Sequence, residues 1–262
     1  MRAAFFDLDK TVIAKASIAA FGRPLYRGGL INRRLVVRAV ASQLIYLQLG
    51  ASEQKLARIR ESILMLTKGW DNEQIREIVR EALEETVEPI IYAEALDLIE
   101  AHRAAGHKVY LVSASPEVIV QPLAEHLGVD GAIASRPVVD EDGRYTGEMD
   151  FYAYGPFKAD AMRELAEREG IDLEDSSAYS DSYTDLPMLE AVGHPVAVNP
   201  DRVLAKVAKE REWEVMQFTK PVRLRDRVGV PSMATTATAA GVTAVATAGA
   251  LVAWRLARRT RD

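Results

Sequence analysis

The sequence of 262 residues contains no cysteine. This absence excludes a disulfide scaffold, a zinc site built on thiolates, an iron–sulfur cluster and a cysteine nucleophile, and it fits a reducing compartment. Hydrophobic residues nevertheless make up 48% of the chain and charged residues 27%. A chain of this length and composition can bury a sizeable core, as one large domain or as a core domain with a smaller insert.

Positive charge is scarce in most of the chain, because the net charge of −5 averages two unlike parts. Residues 220–262 carry eight basic and two acidic side chains, a charge of +6, which leaves −11 for residues 1–219. Proteins that bind nucleic acids without sequence preference need a basic surface to replace the counterions of the phosphates. We therefore expect no nucleic-acid partner.

The N-terminus lacks the apolar stretch of a secretory signal peptide. Only four apolar residues stand between Arg2 and Asp7, far fewer than such a peptide needs before its cleavage site. We therefore expect the main body of the chain to be cytoplasmic.

A strongly apolar span is also missing from the C-terminal region, although an uncharged one is present. Residues 232–254 are 23 uncharged residues, enough to cross a bilayer as a helix. They are mainly Ala and Thr, which add little to insertion. We interpret them as a transmembrane helix that anchors the rest of the chain to the inner face of the cell membrane. In the sequence, a basic linker (219–231) precedes this helix and a basic tail (255–262) follows it. A flexible tail and a soluble docking helix stay open as alternatives.

Short apolar runs separated by helical patterns predict the fold. We expect strands at residues 3–6, 109–112, 132–134, 178–180 and 196–198, and a hairpin around the Asp-Gly pair in residues 140–147. This alternation is typical of an α/β fold with a Rossmann-like, doubly wound parallel sheet. Residues 1–13 and 90–218 would form the Rossmann-like core domain that contains this sheet.

An interval without strand signals interrupts the predicted sheet after its first strand. Helical patterns follow one another around residues 30–48, 52–67 and 72–86, where Asp71 and Gln74 form a plausible capping pair for the last helix. We predict an all-helical cap over residues 14–89. An insert at this point lies above the carboxyl ends of the strands, where open α/β sheets bind their ligands.

Two carboxylates follow the first predicted strand. Asp7 and Asp9 are two residues apart, and Thr11 comes next in the same alternation. One carboxylate of such a pair can attack as a nucleophile while the other donates and later removes a proton. Taken alone, the pair could also cap an ordinary turn after a strand, where Asp is common, although this is the less favoured interpretation.

Three further segments carry complementary chemistry at other strand ends or helix starts. Ser113 and Ala114 end a strand before a helix, where amides and a hydroxyl can hold phosphate oxygens. Lys158 begins another helix, where its ammonium group can neutralise a phosphoryl group. Asp181 and Asp185 follow a strand and are suitable hard ligands for Mg²⁺. The four histidines show no metal-ligand spacing, and we expect none of them to be catalytic.

With these four segments, residues 1–215 resemble the haloacid dehalogenase superfamily of phosphohydrolases, on the phosphoserine-phosphatase-like branch (subfamily IB) whose members carry a helical cap. The resemblance implies that Asp7 is the nucleophile that forms an aspartyl-phosphate and that Asp9 is the general acid and base. It further implies that the phosphoryl group is bound by Thr11, Ser113, the amide of Ala114 and Lys158. It implies that Mg²⁺ is bound by Asp7, the backbone carbonyl of Asp9 and Asp181. Asp185 would lie behind these ligands or bind the ion through water.

The substrate stays open. In phosphoserine phosphatases an acidic residue early in the cap holds the substrate's ammonium group, but residues 13–19 contain no acid. No acid occurs between Asp9 and Glu53, whereas seven basic residues do. Their side chains either extend into water or form a cationic lid for an anionic substrate or membrane. Small-metabolite and lipid or amphiphilic phosphates are both candidates.

Two other classes of function compete with a phosphatase. A phosphotransferase that passes the phosphoryl group to an alcohol would use the same motifs. A catalytically idle, membrane-bound regulatory module would be expected to lack some of Asp7, Asp9, Lys158 and Asp181, and all four are present.

Overall fold

The computed structural model of this chain describes residues 1–31, 64–65 and 67–221. Most of the predicted helices at 30–48 and 52–67 lies outside these residues, and so do the predicted transmembrane segment 232–254 and the basic tail 255–262. None of the helices within the described ranges has the length and apolar character needed to cross a bilayer.

A seven-stranded sheet forms the centre of the described structure. In sequence order its strands are β1 (Ala3–Asp7), β2 (Lys108–Pro116), β3 (Gly131–Val139), β4 (Tyr145–Phe151), β5 (Ser177–Ser180), β6 (His194–Val198) and β7 (Glu214–Met216). Their spatial order is β4-β3-β2-β1-β5-β6-β7, and all neighbours are parallel except β3 and β4. The five predicted strands are present. β7 was not predicted, because two of its three residues are exposed and it has no apolar run.

Eight helices pack around this sheet in the described ranges. Three belong to the insert: α1 (Ser17–Ala20), α2 (Gly22–Arg27) and α3 (Asn72–Ala82). The other five are α4 (Ala93–Ala104), α5 (Glu117–Leu127), α6 (Pro156–Glu169), α7 (Leu186–Glu190) and α8 (Arg202–Glu210). The predicted helix at 72–86 is α-helical only to Ala82, and a π-helical turn (Leu83–Val87) follows it.

Strand β1 lies in the middle of the sheet and is buried on both faces. Ala4 and Phe6 face a hydrophobic cluster that includes residues of α4 and α5, whereas Ala3 and Phe5 face one that includes residues of α6, α7 and α8. This two-sided packing follows from the alternation of side chains along a strand. It makes the fold a doubly wound α/β sheet, as predicted, and places Asp7 at the central strand's carboxyl end.

The C-terminal part of the insert is fastened to the core by the hairpin of β3 and β4. The Gly69 amide donates to the Tyr145 carbonyl at 2.7 Å, the Tyr145 amide to the Trp70 carbonyl at 2.9 Å, and the Asn72 amide to the Gly143 carbonyl at 2.9 Å. Asp71 caps α3 by accepting from the amides of Glu73 and Gln74, each at 3.0 Å. The reciprocal half of the predicted capping pair does not form, because the Gln74 side chain donates to Gly28 instead.

The start of the predicted basic linker packs on the core. The Thr219 amide donates to the Glu94 carboxylate at 2.9 Å, and the Ala93 amide donates to the Lys220 carbonyl at 2.8 Å. The Phe218 ring lies edge-on to Tyr92, with 5.8 Å between the ring centroids. Residues 218–221 therefore close the domain against α4.

Candidate active site

The sheet order brings three predicted segments to one edge. Asp7 ends β1, Ser113 lies near the end of β2, and Asp181 directly follows β5, and these three strands are adjacent and parallel. The carboxyl ends of parallel strands share one edge of the sheet, the usual place for ligands in such folds. Asp7, Ser113 and Asp181 therefore lie at the same edge of the sheet, although they are far apart in the sequence.

Lys158 is the centre of the cluster's charge. Its ammonium nitrogen lies 2.6 Å from Oδ1 of Asp7 and 2.8 Å from Oδ2 of Asp185, and its side chain is only 3% exposed. Lys158 is in the first turn of α6, which begins at Pro156. Gly155 precedes that turn with a φ of 57° and a ψ of −127°, a combination that glycine adopts without a steric penalty. The Gly-Pro pair thus aims the lysine at the two carboxylates.

Asp185 is the second carboxylate partner of Lys158. It ends a 3-10 turn (Tyr183–Asp185) that is capped by the Ser182 side chain, which accepts from the Thr184 amide. Oδ2 of Asp185 also accepts from the buried Ser180 hydroxyl at 2.7 Å. Sequence analysis did not identify Ser180, whose one available signal was a hydroxyl at the end of a buried strand. These contacts make Asp185 a support for the lysine.

Lys158 contacts two buried carboxylates, and burial shifts the pKa values in this cluster. Burial raises the pKa of Asp7, and the nearby carboxylates of Asp185 and Asp181 raise it further, against the opposing effect of Lys158. Burial also raises the pKa of Asp181 to about 6. Burial alone would lower the pKa of Lys158, but its two carboxylate partners reverse that effect and raise it. Lys158 therefore stays charged and faces more negative charge than it can balance.

The carboxyl-terminal end of β2 is held in a fixed shape by serine side chains. The Ser115 amide donates to the Ser113 hydroxyl oxygen at 3.1 Å, so the Ser113 proton is directed elsewhere. Ser135 donates its hydroxyl proton to the Ala114 carbonyl at 2.7 Å and accepts from the Ala153 amide at 3.1 Å. These contacts fix the backbone around Ser113 and Ala114.

Asp9 contacts the first helix of the insert. Its Oδ1 accepts from the Ser17 amide at 2.8 Å and its Oδ2 from the Ser17 hydroxyl at 3.3 Å. Burial raises the pKa of Asp9, and the two hydrogen bonds from Ser17 oppose that shift. Ser17 also lies 2.6 Å from the Ser115 hydroxyl. Neither serine was identified from the sequence, because no motif marks them.

The Thr11 hydroxyl, which the resemblance assigns to the phosphoryl group, has no hydrogen bond that fixes it. The residue is fully buried, and its Oγ1 has no partner within the ranges that the structure describes. A buried hydroxyl in that state costs about 1–3 kcal/mol. Thr11 lies at the site's edge of the sheet, four residues after Asp7.

Two histidines meet at the other end of the sheet, a contact that their sequence spacing did not reveal. Nδ1 of His102 lies 2.9 Å from Nδ1 of His107, and Nε2 of His102 lies 2.8 Å from the Tyr179 hydroxyl. His107 directly precedes β2, so this cluster is at the amino end of the strands, away from Asp7.

A comparison with protein families identifies the chain. The model of the haloacid dehalogenase-like hydrolases matches residues 4–190. The chain belongs to this family. The predicted family and enzyme class, a hydrolase, are thus confirmed.

Relatives of this haloacid dehalogenase-like hydrolase include two proteins of Mycobacterium tuberculosis. It is 52% identical over 257 residues to one named a probable phosphatase, with 98% of this chain and 89% of the relative covered. It is 35% identical over 244 residues to one named a phosphoserine phosphatase, with 92% and 79% covered. A crystal structure of a Bordetella pertussis protein of unknown function superposes with a TM-score of 0.72 at 28% identity, covering 82% of this chain and 97% of that one.

Members of this hydrolase family of the phosphoserine phosphatase type generally use Mg²⁺, and the charge balance of the site fits such an ion. The Asp9 side chain accepts from Ser17, and Lys158 contacts one oxygen of Asp7 and one of Asp185. Asp7 and Asp181 are candidates for carboxylate ligands, although Asp7 already shares one oxygen with Lys158. Across the described ranges, no three His, Asp or Glu side chains form a metal-holding group. Two carboxylates and a backbone carbonyl would still suit Mg²⁺, which usually keeps several waters.

Proposed function

We propose that this hydrolase is a Mg²⁺-dependent phosphatase that cleaves a phosphomonoester through an aspartyl-phosphate intermediate. The observation that carries the proposal is the Lys158 ammonium group between Asp7 and Asp185, at 2.6 and 2.8 Å. A buried lysine that fixes one oxygen of a carboxylate leaves the other oxygen free to attack. Phosphoryl transfer requires this kind of positioning and charge neutralisation rather than unusual chemical groups.

In the first step, Oδ2 of Asp7 attacks phosphorus while the bond from phosphorus to the leaving oxygen breaks. The carboxylic acid of Asp9 donates its proton to that oxygen, so the product leaves as an alcohol. Lys158 remains beside Asp7 and neutralises charge on the phosphoryl oxygens. The Ser113 hydroxyl and the Ala114 amide donate to the same oxygens.

In the second step, water attacks phosphorus on the opposite side from Asp7. The Asp9 carboxylate takes a proton from that water, the bond between phosphorus and Asp7 breaks, and inorganic phosphate leaves. Both carboxyl groups return to their starting protonation states. Dividing the reaction in this way replaces one difficult displacement with two easier ones.

Mg²⁺, held by Asp7, the backbone carbonyl of Asp9 and Asp181, would supply the second positive charge on the phosphoryl group. The closeness of Asp7, Asp181 and Asp185 supports this assignment, because a divalent cation would offset the mutual repulsion of their carboxylates, which adds to the larger effect of burial in raising the pKa of Asp7.

The substrate that we propose is a small metabolite phosphate or an amphiphilic phosphate. A relative named phosphoserine phosphatase supports the first class. The insert contributes a serine, Ser17, beside Asp9, and Lys15, Arg23 and Arg27 nearby are exposed. None of the described insert residues that contact Asp9 is an acid that would hold an ammonium group. An amino group in the substrate is therefore not required by this proposal.

The experiment that tests the proposal is a phosphatase screen of the purified chain with Mg²⁺. Amino-acid, sugar, nucleotide and lysolipid phosphates are compared, with and without alcohol acceptors. We expect Mg²⁺-dependent release of inorganic phosphate that is lost in Asp7→Asn and kept in Asp175→Asn. Asp175 is a matched control because its carboxylate is half exposed and pairs with Arg2. Phosphorylated acceptor alcohol in place of free phosphate would instead indicate a phosphotransferase.

The membrane anchor at 232–254 stays a prediction, since it lies outside the described residues. We expect the full chain to sediment with membranes and to resist carbonate extraction. A chain shortened after Pro221 keeps the contacts of residues 218–221 with α4 and serves as the control that stays in the supernatant. A full chain released by carbonate would contradict the anchor.

A further inference from the structure

The first helix of the insert reaches the general acid and base through one serine. Ser17 opens α1 and is fully buried. Its amide donates to Oδ1 of Asp9 at 2.8 Å, and its hydroxyl donates to Oδ2 at 3.3 Å. Two donors from one residue therefore engage both oxygens of the carboxyl group, so that its plane as well as its position is set.

The same hydroxyl joins the insert to the carboxyl-terminal end of β2. Oγ of Ser17 lies 2.6 Å from Oγ of Ser115. The Ser115 amide in turn donates to the hydroxyl oxygen of Ser113, which we assign to the phosphoryl group. An unbroken chain of hydrogen bonds thus runs from the carboxyl group of Asp9 to the phosphate-binding loop.

We propose that Ser17 is a positioning residue that, together with Ser115, holds the Asp9 carboxyl group in register with the bound phosphoryl group. This inference rests on the proposed function, because it presupposes that Asp9 transfers a proton to the leaving oxygen. Ser17 does not touch the reacting atoms. It acts through Asp9, and the contribution of such a residue is geometric, since small displacements of a proton donor are costly to the reaction.

A simpler role for these contacts is that Asp9 caps α1. A carboxylate that accepts from an amide in the first turn of a helix stabilises that helix end. Capping needs only the Ser17 amide, which survives in Ser17→Ala, whereas the proposed positioning needs the hydroxyl. The two roles therefore predict different outcomes for the same substitution.

The test compares two substrates in Ser17→Ala, Ser17→Thr and Ser115→Ala. An alkyl phosphate needs a proton on its leaving oxygen, whereas p-nitrophenyl phosphate releases a stable anion and depends little on an acid. The ratio kcat/KM covers the steps up to departure of the leaving group, so slow hydrolysis of the intermediate does not affect it. Ser177→Ala, at the amino-terminal end of β5, is the matched control.

We expect Ser17→Ala to lower kcat/KM for the alkyl phosphate by on the order of 10- to 100-fold, because the proton donor is misplaced. For p-nitrophenyl phosphate the loss should be much smaller. Ser17→Thr, which keeps a hydroxyl, should recover most of the alkyl phosphate activity. Ser115→Ala should also lower kcat/KM more for the alkyl phosphate than for p-nitrophenyl phosphate, but by a smaller factor. This variant provides the test if Ser17→Ala proves unstable.

Equal losses for both substrates, or wild-type rates for both, would overturn the positioning role while leaving the phosphatase proposal intact. A wild-type chain that hydrolyses no phosphomonoester would overturn the proposed function itself. The two failures are thus distinguished by the activity of the unsubstituted chain.

Discussion

Lys158 is the residue on which the charge balance of the site depends. It is buried and contacts two carboxylates, while the exposed Lys10 approaches Asp181 only to 3.9 Å. A buried ion pair adds little net stability, but removing one partner leaves an uncompensated buried charge and is strongly destabilising. The lysine therefore matters for folding as well as for the proposed catalysis.

We expect Lys158→Met to destabilise the protein by about 3 kcal/mol at pH 8. Burial already raises the pKa of Asp7, so without Lys158 this carboxyl group takes up a proton as the pH falls. The neutral form needs no counter-charge, and the loss of stability should be smaller at pH 5 than at pH 8. Urea unfolding of wild type and variant at both pH values measures the difference.

Lys206→Met is the control for this substitution, because Lys206 is exposed on α8, where it pairs with Glu210 at 3.6 Å. It should change stability by less than about 0.5 kcal/mol at either pH. A Lys158→Met variant as stable as this control at pH 8 would refute the charge balance described for the site.

At the scale of elements, close backbone contacts hold β5 and β6 in register at their amino-terminal ends. The Gly193 amide donates to the Leu173 carbonyl at 3.0 Å, just before β6 begins. A Cβ atom at Gly193 would lie 1.7 Å from the carbonyl oxygen of Glu174. The obstacle is backbone rather than a flexible side chain, so the loop before β5 would have to move.

We therefore expect Gly193→Ala to destabilise the fold by about 3 kcal/mol, since it overpacks a close backbone contact. Gly22→Ala is the matched control, because a Cβ there meets nothing within 4 Å. As a glycine inside α2, Gly22 should tolerate alanine or gain about 0.5–1 kcal/mol from it. Thermal unfolding measures both changes, and similar melting temperatures for the two variants would contradict the close approach.

At the scale of the whole molecule, the parallel sheet explains why so much of the site could be predicted. Asp7 and Asp9 are visible as a pair because they are neighbours in sequence, and strands that end in polar residues converge at one edge of such a sheet. The distances from Lys158 to its partners could not be read from the sequence, because they depend on the packing of α6. Fold class and family were therefore predictable, whereas the contacts were not.

Three serines show where prediction from the sequence stopped. Ser17 and Ser180 place a hydroxyl against the carboxylates of Asp9 and Asp185, and the Ser115 hydroxyl lies beside that of Ser17. Serine is common on surfaces and in loops, so its residue type alone does not reveal a buried contact across 98 positions, such as that of Ser17 with Ser115. Strand β7 was not predicted for a related reason, because its place at the sheet's edge leaves it without an apolar pattern.

The measurement that tests the central claim most directly is the location of phosphate on the enzyme during turnover. The chain is mixed with Mg²⁺ and a phosphoryl-labelled substrate, quenched in acid within the first turnover, digested and mapped by mass spectrometry. The account predicts label on Asp7, none in Asp7→Asn, and unchanged labelling in Asp175→Asn. Label on another residue, or turnover by Asp7→Asn near the wild-type rate, would contradict it.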